Sequence, residues 1–240
     1  MTVKTETVTY EADGLSMVSH FYCDDAKSGP RPGVLVFPEA FGLGDHAKGR
    51  AERLAGLGYA ALACDLHGQG QSIGMETLMA VLGPLMADPE RTRARARGGL
   101  DALVARPEVD SARVSAIGYC FGGTMSFELA RSGAPIVASV GFHSGLGTAR
   151  PQDAKNIKGK VLACIGADDP GVGADQRTAF EAEMREAKVD WQLHLYGGVV
   201  HSFTNPEADK MGRPEFARYD ARADARSWSE MIGLFDEVFA

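Results

Sequence analysis

The sequence predicts an α/β protein in which a mostly parallel sheet is covered by helices on both faces. Three observations predict this class. Short apolar runs alternate with longer helical patterns from about Val34 to the end of the chain. Two runs of alternating polar and apolar residues precede them and are joined by the turn pair Asp13-Gly14. One later strand-to-helix junction, at residues 118–123, is rich in glycine and carries a cysteine.

The elements follow in order along the chain. The first two runs, at residues 5–10 and 17–22, are expected to form an antiparallel hairpin at one edge of the sheet. Six apolar runs bounded by glycine, proline or aspartate predict the buried strands, at residues 33–37, 59–64, 113–117, 136–141, 161–165 and 191–196. Helical patterns lie at residues 46–57, 76–86, 90–106, 124–131, 175–187 and 221–239. The loops after the strands share the carboxyl edge of the sheet, where active sites of such folds form.

Length and composition limit the classes of function. The chain has 240 residues, 45% of them apolar, which favours a single domain over residues 1–240. The formal charge is −7 and no run of Lys and Arg could follow a phosphate backbone, so nucleic acid is not an expected partner. The arginines at positions 91, 93, 95 and 97 have spacing two, which would spread them around a helix, and we interpret them as a solvated face.

The sequence has no pattern typical of a signal peptide, a membrane span or a metal site, and this predicts the location and cofactors of the protein. The first residues lack the apolar core of a signal peptide, and no apolar run approaches the length of a membrane span. We therefore expect a cytoplasmic protein that makes no membrane contact, as a monomer or homodimer. The four cysteines form neither a Cys-x-x-Cys pair nor a cluster with histidine, so no metal and no other cofactor is predicted.

The glycine-rich junction predicts a nucleophile. The strand at 113–117 is followed by Gly-Tyr-Cys-Phe-Gly-Gly and then by a helical pattern, which is the form of a nucleophile elbow with Cys120 in the serine position. Glycines flank the nucleophile because strand and helix nearly touch there. The positive end of the helix favours thiolate over thiol, and the Phe121 N–H can bind an oxyanion. The alternative is an ordinary buried thiol, as we expect for Cys64 and Cys164.

The general base and its partner are predicted from chain order. In α/β-hydrolases the nucleophile precedes the acid, which precedes the histidine. Asp168 and Asp169 follow the strand at 161–165, and either could accept a hydrogen bond from an imidazole. His201 follows the strand at 191–196 and is the candidate base. His143 follows an earlier strand, which excludes it as the base by order but places it beside the pocket.

Four segments together resemble the dienelactone hydrolase family over essentially the whole chain. They are PEAFG at 38–42, GYCFGG at 118–123, GADDPGV at 166–172 and VVHSF at 199–203. The resemblance implies an α/β-hydrolase fold and hydrolysis of carboxylic ester or lactone bonds. It selects Asp169 as the partner of His201, and it implies that Glu39 hydrogen-bonds the resting nucleophile and helps to switch its thiol to thiolate. It also implies that Ala40 supplies a second oxyanion N–H.

The chain departs from this family at the substrate carboxylate. Members that open dienelactones hold that carboxylate with two arginines, but Asn205 stands at one position and residues 69–86 contain no arginine. We therefore expect neutral substrates with apolar groups. The segment 75–86 offers Met and Leu side chains at helical spacing, which predicts either an apolar wall beside the site or an amphipathic core helix. The expected substrate contacts are Phe41, Met79, His143, Phe203 and Asn205.

The predicted chemistry is acyl transfer through a thioester on Cys120, with the amides of Phe121 and Ala40 binding the oxyanion. Neutral organophosphate triesters are a predicted promiscuous substrate, because the same cradle could hold a tetrahedral phosphorus centre. Two other hypotheses remain: a ligand sensor without turnover on the same fold, and a redox-active thiol. Turnover beyond one equivalent would separate an enzyme from a sensor.

Overall fold

The computed structural model describes residues 2–240. The strands are β1 (Val3–Ala12), β2 (Leu15–Asp24), β3 (Arg31–Phe37), β4 (Ala60–Ala63), β5 (Val109–Tyr119), β6 (Ala138–Phe142), β7 (Lys160–Gly166) and β8 (Trp191–Tyr196). The α-helices are α1 (Asp45–Gly56), α2 (Leu78–Ala87), α3 (Pro89–Val104), α4 (Phe121–Arg131), α5 (Ala174–Glu186) and α6 (Ala221–Val238). Short 3-10 helices lie at Pro151–Asn156 and Ala208–Met211. Over the described residues, no helix is both long and apolar enough to cross a membrane.

The eight strands form one sheet in the order β1-β2-β4-β3-β5-β6-β7-β8. β2 is antiparallel to both β1 and β4, and every other neighbouring pair is parallel. Asp13 and Gly14 have φ values of 50° and 70°, the left-handed conformation that a two-residue hairpin turn requires at both central positions. The mostly parallel sheet with an antiparallel hairpin at its edge is therefore confirmed.

The side chains of alternate strand residues pack on opposite faces of the sheet. Val34 and Val36 of β3 pack in a core that also contains residues of α1 and α6. Leu35 and Phe37 pack in a second core, with residues of α2, α3 and α4. α5 packs through Phe180 against the odd-numbered apolar residues of β7. Successive side chains of a strand point to opposite faces of the sheet, so a strand that is apolar throughout has two apolar surfaces to bury. The helices therefore cover both faces of the sheet, as expected.

Two expectations are wrong in detail. α4 begins at Phe121, directly after Cys120, and not at residue 124; the glycines that lower helix propensity here are required by close packing. The arginines of α3 do not form a solvated face, because Arg93 and Arg95 are buried. Arg93 pairs with Glu128 at 2.9 Å and Arg95 with Asp13 at 2.9 Å. These partners lie far away along the chain, and helical spacing alone gives no information about them.

Asp65, two residues after β4, connects the hairpin to the loop that follows β4. Its Oδ2 accepts hydrogen bonds from the N–H groups of Val18 at 2.9 Å and Gly70 at 2.8 Å. Its Oδ1 accepts from the N–H groups of His67 and Gly68. One buried carboxylate thus satisfies four main-chain donors, as buried polar groups must be satisfied.

Candidate active site

Cys120 stands on the sharp turn between β5 and α4. Its φ and ψ are 55° and −121°, a strained conformation for a residue with a side chain. A Cβ on Gly118 would overlap the carbonyl group of Gly122, and one on Gly122 would overlap the main chain of Phe37 and Pro38. The glycines on both sides of the cysteine are therefore required by close contact of three segments.

The four cysteines lie in different environments. Cys120 is partly exposed, whereas Cys23, Cys64 and Cys164 are buried. Burial raises the pKa of the Cys164 thiol to about 12 and that of the Cys64 thiol still further. These two thiols are core residues that stay protonated at neutral pH, as the strand pattern predicts, so Cys120 is the accessible sulfur at the sheet edge.

His201 and Asp169 meet beside this sulfur. His201 Nδ1 lies 2.7 Å from Asp169 Oδ2, and the carboxylate is buried while the neighbouring Asp168 is exposed. Because the carboxylate can only accept, Nδ1 carries a proton, which leaves Nε2 for Cys120. Burial alone would lower the pKa of His201, but the charge and hydrogen bonding of Cys120 and Asp169 raise it to about 10. A negative charge on the Cys120 sulfur therefore favours the protonated imidazole.

Glu39 does not make the contact with the nucleophile that the family resemblance implies. Its Oε1 accepts instead from His46 Nδ1 at 2.6 Å and from Asn205 Nδ2 at 3.0 Å. His46 Nε2 in turn accepts from Arg50 Nε at 3.2 Å, so the proton of His46 is on Nδ1, facing the carboxylate. Burial raises the pKa of Glu39, but the bonds from His46 and Asn205 outweigh it and lower the pKa below 4.5. Glu39 is a fixed carboxylate.

No sequence pattern predicts the group of residues that holds Glu39. His46 and Arg50 are one turn apart on α1, and Arg50 also donates to Asp224 of α6 at 2.8 Å and to the carbonyl of Thr204 at 2.6 Å. The i,i+4 spacing of His46 and Arg50 is visible in the sequence. No sequence pattern, however, indicates that this face of α1 contacts the loop after β3, which carries Glu39. Arg50 is separated from Thr204 by 154 positions and from Asp224 by 174 positions.

Two main-chain N–H groups are available at the turn. Within the described residues, the N–H groups of Phe121 and Ala40 donate no hydrogen bond to another part of the chain. The contact of Gly122 with the main chain of Pro38 brings the two segments together. His67 Nε2 donates to the carbonyl of Ala40 at 2.8 Å and fixes that loop. The arrangement offers two preorganised donors beside Cys120, as an oxyanion site needs.

Two of the expected substrate contacts are wrong. His143 and Phe203 are fully buried, with their rings packed against each other at a centroid distance of 5.3 Å. Both follow strands at the correct edge, but their side chains point into the protein. Phe41 is half-buried, Asn205 binds Glu39, and Met79 is 66% exposed on the outer face of α2.

A cavity of about 270 Å³ lies beside the start of α4. Phe121 and Thr124 form one wall, and Leu85, Met86 and Pro89 of α2 and α3 form another. Glu128 is the only charged residue among those that line it, and its two oxygens are bonded to Arg93 and Arg131. Leu85 and Met86 of α2 line this cavity, and Leu85 also packs with Leu82 in the second core.

Comparison with known proteins agrees with this architecture. The profile of the dienelactone hydrolase family matches residues 20–239. A solved structure of a dienelactone hydrolase-like promiscuous phosphotriesterase from metagenomic libraries is 48% identical, with each chain covered completely and a TM-score of 0.95. A Synechocystis protein provisionally named carboxymethylenebutenolidase is 27% identical over 97% of this chain and 96% of its own. A Klebsiella pneumoniae structure, provisionally named a dienelactone hydrolase, is 21% identical over 98% of this chain and 99% of its own, with a TM-score of 0.84, which shows the shared fold.

Proposed function

Since the chain belongs to the dienelactone hydrolase family and is a hydrolase of ester or lactone bonds, we propose that it cleaves them with Cys120 as nucleophile, His201 as acid and base, and Asp169 as the group that orients His201. The observation that carries this proposal is the 2.7 Å bond between His201 Nδ1 and Asp169 Oδ2, which directs the other ring nitrogen toward the sulfur at the elbow. Both the chain order and the partial exposure of Cys120 support it.

Acylation begins from a thiolate opposite a protonated imidazole. The Cys120 sulfur forms a bond to the substrate carbonyl carbon, and the carbonyl π electrons move to oxygen, where the amides of Phe121 and Ala40 stabilise the negative charge. The tetrahedral intermediate collapses as the carbon–oxygen bond to the alcohol breaks. His201 gives its proton to the leaving oxygen, and the acyl group remains on sulfur as a thioester.

Deacylation follows from the loss of charge on sulfur. The thiolate is one of the two groups that raise the pKa of His201, so formation of the neutral thioester removes that contribution and burial lowers the pKa again. The ring, which has just lost its proton, then stays neutral and takes a proton from water as the water attacks the thioester. Collapse of this second intermediate releases the carboxylic acid and restores the thiolate beside the imidazolium.

Glu39 has a supporting part in this scheme. Held as an ion by His46 and Asn205, it has no proton to exchange with Cys120 at neutral pH. We assign it to the positioning of the loop after β3, which carries Ala40. Glu39→Gln, which keeps the size of the side chain, should slow turnover without preventing alkylation of Cys120.

The substrates proposed are neutral esters or lactones with an apolar group. Neither lysine nor arginine lines the cavity beside Phe121, and Asn205 replaces a cation of the family's carboxylate clamp. A charged carboxylate would lose its hydration there without a compensating partner. A panel of p-nitrophenyl esters and lactones, with neutral and carboxylate-bearing members of equal size, should show higher kcat/KM for the neutral ones.

Phosphotriester hydrolysis is a second proposed activity. It is favoured by the full-length relative whose name describes a promiscuous phosphotriesterase. The sulfur would form a bond to phosphorus, a phenolate would leave with its electron pair, and water would cleave the phosphorus–sulfur bond. A p-nitrophenyl dialkyl phosphate should release p-nitrophenolate beyond one equivalent. Release that stops at one equivalent, or none, would remove this activity from the proposal.

The test of the nucleophile is Cys120→Ala, with Cys64→Ala as the matched control because Cys64 is a buried thiol away from the site. The first variant should lose ester turnover and the second should keep it. Rapid quenching and mass spectrometry of the wild-type chain with a slow ester should detect a covalent acyl group on the peptide that contains Cys120. Full turnover by Cys120→Ala would exclude the thioester mechanism. Turnover beyond one equivalent in the wild type excludes the sensor hypothesis.

A further inference from the structure

His143 lies directly behind the nucleophile. It follows β6, is fully buried, and has a φ of 42°, which is uncommon for a residue with a side chain. Its Nδ1 accepts a hydrogen bond from the Cys120 N–H at 3.1 Å, and its Nε2 lies 2.8 Å from Thr204 Oγ1. Because the Cys120 N–H can only donate, Nδ1 holds the lone pair, and the ring proton on Nε2 donates to Thr204.

These two bonds connect the loops that carry the two reacting groups. Cys120 is the nucleophile of the elbow, and Thr204 is three residues beyond His201 in the loop after β8. Thr204 is fixed from the other side, since its carbonyl accepts from Arg50 at 2.6 Å. One imidazole therefore sets the distance between the elbow and the histidine loop, and its ring also packs edge-on against His201 with centroids 5.1 Å apart.

The surroundings keep this ring neutral. Burial lowers the pKa of His143 well below 6.5, and the charges of His201 and Arg50 lower it further. A neutral ring preserves the acceptor at Nδ1 while His201 beside it carries the proton used in catalysis. An imidazolium at position 143 would present N–H groups to the Cys120 N–H and would break the bond.

We propose that His143 is a positioning residue that holds the main chain of Cys120 in its strained, positive-φ conformation and fixes the sulfur in line with His201. The inference rests on the proposed role of Cys120. The Cys120 N–H is shared between His143 Nδ1 and the carbonyl of Phe142 at 3.0 Å, so both anchors of the elbow are supplied by the end of β6. Without the side-chain anchor the elbow is free to rotate, and the sulfur moves away from His201 and from the oxyanion donors.

Three substitutions at one position test this geometry. His143→Leu fills the space without an acceptor and should lower kcat by about 10- to 100-fold with KM within about twofold, because misplacement of a reacting group affects the chemical step. His143→Asn places its Oδ1 near the position of Nδ1 and tolerates a positive φ, so it should recover most of kcat. His143→Gln places its amide nearer the position of Nε2 and should recover less.

Controls separate this proposal from the function on which it rests. Unfolding temperatures identify variants that have lost the fold, and Thr204→Val, which removes only the Nε2 partner, should lower kcat by a smaller factor. A folded His143→Leu variant with wild-type kcat, or equal activities of the Asn and Gln variants, would overturn the positioning role. If Cys120→Ala retains turnover, it is the proposed mechanism that fails. If His143→Leu does not fold, the order of the Asn and Gln variants decides.

Discussion

Removal of the Cys120 sulfur should lower the pKa of His201. The rise of this pKa from 6.5 to about 10 corresponds to roughly 5 kcal/mol of preference for the protonated ring. Burial opposes the rise, and the charge of Cys120 is the largest cause that supports it, ahead of the hydrogen bond to Asp169. Two unit charges about 4 Å apart interact by roughly 4 kcal/mol at an effective dielectric constant near 20. Cys120→Ala should therefore lower the pKa by about 2 to 3 pH units.

The assay is an NMR titration of the isotope-labelled histidine rings. The His201 signal is assigned by its disappearance in a His201→Gln variant, and Cys64→Ala is the matched control, since that thiol is buried apart from the site. The control should titrate like the wild type. An unchanged His201 pKa in Cys120→Ala would show that the sulfur carries no charge opposite the ring, and the account of acylation and deacylation given above would be wrong.

Three further outcomes follow from the geometry. Above about pH 10, kcat/KM should fall as His201 loses its proton, because no acid then protonates the leaving oxygen; a flat profile to higher pH in stopped-flow assays would contradict this. Met86→Arg places a cation at the exposed side of the cavity wall and should shift the ratio of kcat/KM for carboxylate-bearing over neutral esters upward by about tenfold or more, measured on matched pairs. Arg131→Met leaves the buried Glu183 side chain without its arginine and removes one of the two arginines bonded to Glu128, so it should lower the free energy of unfolding in urea by about 3 to 5 kcal/mol; a change below about 1 kcal/mol would contradict the assigned ion pairs.

The sequence predicted the features that depend on local patterns. Asp13-Gly14 has the residues that a two-residue turn requires, and the glycines around Cys120 are required by contacts between segments that the motif itself brings together. The order of Cys120, Asp169 and His201 along the chain then placed three loops at one edge of the sheet. The proximity of these side chains was predictable because parallel strands share that edge.

The errors concern the direction and partners of side chains. His143 follows a strand at the expected edge, but the side chain of a loop residue can point outward or inward. Here it points inward, where its two ring nitrogens form hydrogen bonds with Cys120 and Thr204. Arg93 is a charged residue on a helix, and its buried side chain is paired by Glu128 and Asp153, which lie on other segments of the chain. The hydrogen bonds of Glu39 depend on α1, whose relation to the loop after β3 is a property of the folded chain.

The hydrogen bonds of Asp65 connect the N-terminal hairpin to the candidate active site. This carboxylate accepts hydrogen bonds from the N–H groups of Val18, in the second strand of the hairpin, and of His67, in the loop after β4. The His67 side chain in turn donates to the carbonyl of Ala40. Three polar contacts therefore connect the β1–β2 hairpin to the loop after β3 that carries Ala40. Local unfolding of the hairpin would displace that loop without any rearrangement of the core. An insertion or fusion at the Asp13-Gly14 turn should therefore change the turnover rate before it lowers the unfolding temperature of the protein.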